Sequence, residues 1–287
     1  MGPTTPSPVD RWKLRTRTLR FGRLPHLMGI VNVTPDSFSD SGQFLDPGAA
    51  VDHGLRLAEQ GADLLDIGGE STRPGAEPVS ADEELRRVMP VVAALCERTS
   101  VPISIDTSKA AVAREALTAG VEVVNDVTAL RADPAMLPLV AEARCGVCAM
   151  HMQGTPRSMQ LNPAYGDVVA EVLDYLRARR DALAGAGVDP ARIGLDPGIG
   201  FGKTTEHNLA LLRHAGRLHE LGCPVVAGHS RKRFIGQLLG DPEADRTPGT
   251  IAVALALARR RVQVLRVHDV GAVRGGLVLF EAAGGVS

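Results

Sequence analysis

Short runs of β-branched and apolar residues recur along the chain, each separated from the next by a longer stretch whose apolar positions repeat every three to four residues. The runs predict strands over 27–32, 63–67, 102–106, 122–125, 147–151, 192–196, 224–227 and 262–267. The stretches between them, rich in Ala, Leu, Glu and Arg, predict helices, for example over 50–60 and 83–98. Gly61, Gly120 and Gly222 stand where helices should stop, the place at which a left-handed residue closes the last turn. Ahead of the first unit, residues 11–20 are basic and alternate roughly between polar and apolar, which predicts an exposed strand or hairpin. Residues 1–26 therefore read as an N-terminal extension and 27–287 as one domain without linker, repeat or low-complexity segment.

Eight strand–helix units in 287 residues suit an α/β fold of the (β/α)8 TIM barrel kind, an architecture of roughly 250 residues. A doubly wound open sheet built from the same units stays open, because strand count does not separate the two. The placement of polar residues favours the barrel. Asn32, Asp66, Asp106, Asn125, His151, Asp196, Ser230 and Arg266 each stand within three residues of the end of a predicted strand. In a barrel such positions converge on one mouth, where active sites are built. Strand ends are polar in any protein, but that accounts for one or two such residues, hardly for two Asp and two Asn closing apolar runs. A carboxylate half-buried there is costly unless something donates hydrogen bonds to it.

Composition and charge narrow the chemistry. With 44% hydrophobic and 23% charged residues the chain has the make-up of an ordinary soluble globular protein. A formal net charge of −1 provides no broad basic field for nucleic acid or an anionic membrane, so any anion must be held by a local cluster. The longest wholly apolar run, 251–258, is far short of a bilayer span. The basic stretch at 11–20 lacks the apolar region and small-residue cleavage site of a targeting signal, so a reducing cytoplasm is the expected setting for Cys96, Cys145, Cys148 and Cys223. Cys145-Gly-Val-Cys148 has redox spacing, but it straddles the start of an apolar strand and no second pair completes a zinc site. Packing is its expected role.

The first predicted strand runs into Asn32-Val-Thr-Pro-Asp-Ser-Phe38-Ser-Asp40-Ser-Gly42, the second into Asp66-Ile-Gly-Gly-Glu-Ser-Thr72-Arg73-Pro74-Gly75. Both connections are longer than usual and rich in Gly, Pro and hydroxyls, as lids that exclude water from a site would be. The paired Asp40 and Arg73, with Phe38 at the first loop's centre, argue against idle surface loops. Gly202-Lys203-Thr204 hints at a nucleotide-binding P-loop, but the required glycine five residues earlier is Pro197. The glycines of 198–202 are expected to let backbone approach a flat ligand, with Phe201 offering a ring edge.

Further motifs follow in order: Ser104-Ile-Asp106-Thr-Ser-Lys109, Val124-Asn125-Asp126-Val127, Met150-His-Met-Gln-Gly-Thr-Pro156, Leu195-Asp196-Pro-Gly-Ile-Gly-Phe201-Gly-Lys203, Gly228-His-Ser230-Arg-Lys232-Arg-Phe-Ile-Gly236 and Leu265-Arg266-Val267-His268-Asp-Val270. Together they resemble the motifs of dihydropteroate synthases, from about Met28 to Glu281. The resemblance implies a transferase of folate biosynthesis. Such an enzyme condenses (7,8-dihydropterin-6-yl)methyl diphosphate with 4-aminobenzoate to 7,8-dihydropteroate and diphosphate, by a dissociative route. It also implies Mg2+ as cofactor, a homodimer, and sulfonamides as competitors of 4-aminobenzoate.

Carried onto this sequence, the resemblance gives Asp106, Asp196, Lys232, Arg266 and Asp40 catalytic roles. The pterin diphosphate falls to Thr72, Arg73, Asp106, Asn125, Asp196, Lys232, Arg266, Val267 and His268. The 4-aminobenzoate ring and acid fall to Phe38, Pro74, Phe201 and Ser230, and Mg2+ to Asn32. The residue types suit these parts. Carboxylates accept from the adjacent N–H donors of a pterin edge, an amide both donates and accepts, and a planar guanidinium can stack on the bicycle while reaching phosphate. Ser230 is expected to open a helix whose free N–H groups would help receive a carboxylate.

Two rivals share the scaffold. A methyltransferase acting on a methylated folate would need the acidic pterin-reading residues but neither a diphosphate clamp nor the Ser230-Arg-Lys232 end. A non-catalytic pterin-binding paralogue would be expected to lose loop or phosphate residues, whereas Asn32, Asp40, Thr72, Arg73, Lys232, Arg266 and His268 are all present. Ala129 and Leu130 stand where relatives often carry Gly, a departure expected to adjust the fourth loop without touching the pterin edge.

Overall fold

The structure, a computed structural model, describes residues 7–34, 46–73 and 75–286. Two short strands, β1 (Arg11–Lys13) and β2 (Thr18–Arg20), pair antiparallel with Trp12 opposite Leu19. Eight more run parallel: β3 (His26–Asn32), β4 (Leu64–Gly68), β5 (Ile103–Asp106), β6 (Val123–Asp126), β7 (Gly146–Met150), β8 (Ile193–Asp196), β9 (Val226–Ala227) and β10 (Val264–Val267). Each lies beside its neighbour in sequence, and β10 lies beside β3. A bridge between Leu195 and Val225, with the Leu195 N–H donating to the Pro224 carbonyl at 2.9 Å, joins β8 to the start of β9 and closes the ring. Consecutive order and closure exclude the doubly wound sheet, whose strand order reverses at a switch point. The fold is a (β/α)8 barrel, and every predicted strand lies within two residues of an observed one.

Helices α1 (Pro47–Glu59), α2 (Ala81–Arg98), α3 (Ala110–Thr118), α4 (Met136–Ala143) and α5 (Val168–Gly185) follow β3 to β7 in turn. After them come α6 (Thr205–Arg213), α7 (Arg233–Leu239), α8 (Thr247–Arg259) and α9 (Val270–Ala282). The second of these shows why such segments fold as they do. Ser80 caps it by accepting from the Glu83 N–H, three acids occupy its first turn, and Val88, Val91, Val92 and Leu95 recur at helical spacing, all buried. That face packs on the outside of the barrel with the residues of the strands that point outward.

The barrel interior holds a smaller core of its own: Met28, Leu64, Val123, Cys148, Val226 and Val264, with Trp12 and Leu14 from the N-terminal hairpin. The hairpin is therefore not simply an exposed extension. Its Trp12 is fully buried and donates through Nε1 to the Arg192 carbonyl at 2.8 Å. Gly194 makes room for the indole, since a Cβ there would stand 2.9 Å from it. The Thr16 N–H donates to the buried Glu122 carboxylate at 2.8 Å, fastening the hairpin across the barrel floor.

Above this apolar plug the strand period of two determines what comes next. Two residues on from Leu64, Ser104, Val123, Gly194 and Val264 stand Asp66, Asp106, Asn125, Asp196 and Arg266. The inward layer nearest the C-terminal mouth is thus polar and charged, directly above one that is apolar but for the buried Ser104. Cys145 packs in the outer core and Cys148 in the inner one, so the pair straddles the barrel wall. Burial pushes the Cys145 thiol up to about 12 and the Cys148 thiol well above its usual value, which leaves both as packing groups.

Candidate active site

The polar layer forms the floor of a cavity of about 900 Å³ at the barrel mouth. Asp106 and Asn125 are paired across β5 and β6. Arg266, from β10, donates from Nε to Asp66 at 2.5 Å and from a terminal nitrogen to Asp106 at 2.8 Å. Asn125 donates to the same Asp66 oxygen at 3.1 Å. Asp66 is completely buried, and its other carboxylate oxygen has no hydrogen-bond partner among the described residues. It does not line the cavity. It holds Arg266 and Asn125 from beneath, a supporting role the sequence reading did not assign to it.

Charge in this layer is unevenly balanced. Burial pushes the Asp106 carboxyl up to about 7, with Arg266 opposing the shift and Asp66 adding to it. Burial also raises Asp196, against the Gly198 N–H that donates to it at 2.7 Å and the nearby Lys232. Lys232 is pushed down to about 8 by burial and by Arg266, while Asp196 and Asp106 pull the other way. Its ammonium stands 4.0 Å from the centre of the Phe201 ring, a cation–π contact.

His268, just beyond β10, marks a second, cationic part of the cavity. Burial together with Arg266, Arg231, Lys232 and Arg73 drives its imidazole down to about 3, so it is neutral at ordinary pH. Thr72, Arg73, Asn32 and Ser230 line the same cavity. Ser230 does not open a helix as expected: α7 begins at Arg233 with Lys232 as its N-cap. The chain turns at Gly228–Arg231, and Ser230 is turned toward His268, whose N–H donates to Oγ at 3.2 Å. Val267 lies between two site residues, but alternation along the strand sends its side chain into the outer core, so only its backbone can face a ligand. Phe38, Asp40 and Pro74 lie outside the described residues.

The loop after β8 is a run of left-handed glycines. Gly198 and Gly202 have φ of 69° and 60°, and a Cβ at either would strike the backbone of His151 or Gln153. Lys203 is held by its own loop and by the neighbouring one. It is buried, pushed down to about 7 by that burial, and points back to the His151 ring nitrogen at 2.9 Å and the Phe201 carbonyl at 2.9 Å. Met159, Gln160 and Pro163, from the loop after β7, also line the cavity. No pattern in the sequence points to them beyond the Met150–Pro156 motif just ahead.

A family model described as pterin binding enzyme matches residues 28–268. Dihydropteroate synthase from Neisseria meningitidis serogroup C is 48% identical over 264 residues, 91% of this chain and 93% of the relative. The chain belongs to the dihydropteroate synthase family of pterin-binding enzymes. The Escherichia coli (strain K12) dihydropteroate synthase is 46% identical, with 86% of this chain and 87% of the relative covered. Among solved structures, Xanthomonas albilineans dihydropteroate synthase with 4-aminobenzoic acid matches at a TM-score of 0.89 and 51% identity, covering 97% of this chain and 99% of that one. The Yersinia pestis dihydropteroate synthase in complex with a sulfonamide drug matches at 0.89 and 43%, covering 96% and 99%. The family's barrel is the one described above, and its members are transferases.

Proposed function

We propose that this chain condenses (7,8-dihydropterin-6-yl)methyl diphosphate with 4-aminobenzoate to give 7,8-dihydropteroate and diphosphate. The observation that carries the reading is one cavity whose floor brings together Asp106, Asn125, Asp196 and Lys232, with a cationic flank around His268. A pterin edge offers adjacent N–H donors and a carbonyl. Asp106 and Asp196 accept from the donors, Asn125 both donates and accepts, and Lys232 meets the carbonyl and ring nitrogen. The Arg266 guanidinium, fixed by Asp66 and Asp106, offers its face to the bicycle.

In the proposed sequence the bond from the pterin methylene carbon to the diphosphate oxygen breaks, and its electron pair leaves with diphosphate. The positive charge left behind spreads into the dihydropterin ring, where Asp106 and Asp196 favour it electrostatically. Arg266, Arg73, the Thr72 hydroxyl and a ring N–H of neutral His268 bind the departing anion. The arylamine lone pair then forms the C–N bond, and the nitrogen gives up one proton to solvent. Phe201 and Ser230, with Phe38, Pro74 and Asp40, receive and enclose the second substrate. Sulfonamides are proposed to compete at that place.

Magnesium fits this donor set as an ion carried on diphosphate. Asn32 brings one neutral amide oxygen to the cavity, and the described residues contain no cluster of three or more His, Cys, Asp or Glu suited to a metal. Asn32 would give such a hard cation its protein ligand and leave the rest of its shell to diphosphate and water. When bound, the ion neutralises charge on the leaving group. A homodimer belongs to the same proposal, supported by exposed Leu238 and Leu239 on α7 and Val278 and Leu279 on α9. So does a cytoplasmic setting, in keeping with four free cysteines and the absence, among the described residues, of a helix able to cross a membrane. Incubation with the pterin diphosphate, Mg2+ and labelled 4-aminobenzoate tests the function: the label is expected in dihydropteroate. Folded protein that yields none would overturn it.

A further inference from the structure

The loop between β7 and α5 holds the turn that carries Phe201. Gln160 donates from its amide to the Gly200 carbonyl at 2.8 Å, and Tyr165 donates its hydroxyl to the Gly202 carbonyl at 2.8 Å. Between them Lys203 donates to the Phe201 carbonyl at 2.9 Å. Three successive carbonyls, at 200, 201 and 202, thus each take a side-chain donor. On the other side the Gly200 N–H donates to Asn208 at 2.7 Å. Met159 anchors the loop: it is 3% exposed, whereas its neighbour Leu161 is 75% exposed.

These contacts matter because of what a glycine turn lacks. The backbone at 198, 200 and 202 is left-handed, and within the turn one backbone bond, from the Phe201 N–H to the Gly198 carbonyl at 3.1 Å, ties it together. Glycine permits many other conformations at each of these positions. The direction of the Phe201 side chain is set by the two peptide planes flanking its Cα. Gln160 pins the first through the Gly200 carbonyl, Lys203 pins the second through the Phe201 carbonyl, and Tyr165 pins the plane after that. The ring so directed meets the Lys232 ammonium over its face.

We propose that Gln160 and Tyr165 are positioning residues for Phe201: by fixing the peptide planes around it, they hold the aromatic wall against which the ring of the second substrate packs. The inference rests on the reaction proposed above, and it assigns to the loop after β7 a part in recognising the arylamine. Gln160 lines the cavity and Tyr165 stands behind it, and both act on Phe201 through backbone carbonyls. Misdirecting Phe201 weakens capture of the second substrate first; it reaches the pterin floor through Lys232, which stands 4.0 Å from the ring centre, so the pterin diphosphate is expected to lose less.

Gln160→Met and Tyr165→Phe separate this role from general support of the loop. The first keeps length and removes the donor. The second keeps the ring contacts to His151 and His207, at centroid distances of 6.1 and 4.9 Å, and removes only the hydroxyl. Each is expected to raise KM for 4-aminobenzoate about fivefold, with kcat and KM for the pterin diphosphate within about twofold of the parent. An unchanged KM, or an equal rise for both substrates, overturns the proposal. The second measurement needs no turnover. The chain has six Phe, so the Phe201 ring signal can be resolved by NMR with labelled phenylalanine and assigned with Phe201→Leu. It is expected to shift or broaden in both variants, and a signal unmoved in both overturns the positioning role whatever the kinetics. If the parent protein makes no dihydropteroate, the proposed reaction falls, and the ring signal still decides the role of Gln160 and Tyr165.

Discussion

The Ser230 hydroxyl oxygen stands 3.0 Å from Nδ1 of His268 and also accepts that residue's backbone N–H. An oxygen that accepts from the backbone is best placed to donate its own proton to Nδ1, which leaves the ring proton on Nε2. Ser230 therefore sets the tautomer with which neutral His268 can donate to an anion. Ser230→Ala is expected to weaken inhibition by inorganic diphosphate roughly fivefold, the worth of one orienting hydrogen bond of about 1 kcal/mol. Diphosphate inhibition that is unaltered in this variant would show that Ser230 serves the second substrate alone.

Pterin reading and leaving-group handling lie on different residues and should separate in binding. Asp196→Asn places a donor opposite a ligand N–H, and is expected to weaken a phosphate-free pterin by about 1–3 kcal/mol, roughly five- to 150-fold. His268→Ala is expected to leave that ligand within about twofold and to lose affinity only for the diphosphate form. Calorimetry with both ligands checks the division, and equal losses of the phosphate-free ligand in the two variants would dissolve it.

The pH dependence of pterin binding follows from displaced groups of both signs, Asp106 and Asp196 raised by burial and Lys232 lowered by it. Asp106, raised to about 7, must be ionised to accept from the ligand, so affinity rises with pH as the pH passes upward through that value. Lys232, lowered to about 8, must be charged to meet the pterin carbonyl, so affinity falls again above that value. Binding of a phosphate-free pterin to the empty protein is expected to peak between these limits, with limbs approaching about tenfold per pH unit. A flat profile from pH 5.5 to 9, a range chosen at roughly a unit or more beyond each group, would mean that neither group gates the site.

Two consecutive buried residues, Ala129 and Leu130, adopt left-handed φ of 56° and 61°. The Asp126 carboxylate compels the turn by accepting from the Thr128 N–H at 2.7 Å, the Thr128 hydroxyl and the Leu130 N–H at 3.1 Å. A non-glycine residue is penalised there by about 1–2 kcal/mol, and glycine returns part of that in unfolded-chain entropy. Ala129→Gly is expected to stabilise by roughly 0.5–1 kcal/mol, a rise in Tm of about 1–4 °C. Leu130→Gly is expected to destabilise instead, because losing a buried leucine side chain costs roughly 2–5 kcal/mol. Thermal unfolding of the two variants measures the balance.

The barrel was largely legible because strand and helix periods are local properties of the chain. The converging strand ends were legible for the same reason: Asp106, Asn125 and Asp196 each close an apolar run, and Arg266 interrupts one near its end. What one strand's pattern cannot show is which distant side chain it meets. Asp66 reads as one more polar strand end, yet it holds Arg266, two hundred positions away in sequence, and Asn125. Trp12 illustrates the same limit. Alternation across 11–20 revealed the hairpin but not that Trp12 and Leu14 enter the barrel floor, although the chain's single Trp two positions before a Leu was a usable sign. Ser230 was misplaced because a helix start was read two positions early. Gln160 and Tyr165 lie in a segment with no period at all, and their donors become meaningful only once the glycine turn is seen beside them.

In the proposed reaction, bond breaking at the pterin methylene carbon is coupled to capture by an arylamine. The direct measurement follows diphosphate release and label incorporation side by side, with the pterin diphosphate, Mg2+ and labelled 4-aminobenzoate. Dihydropteroate and diphosphate are expected in equal amounts, both lost together in Asp196→Asn. Diphosphate released without incorporation of the label would make the protein a pterin diphosphate hydrolase and contradict the account, as would folded protein that releases neither.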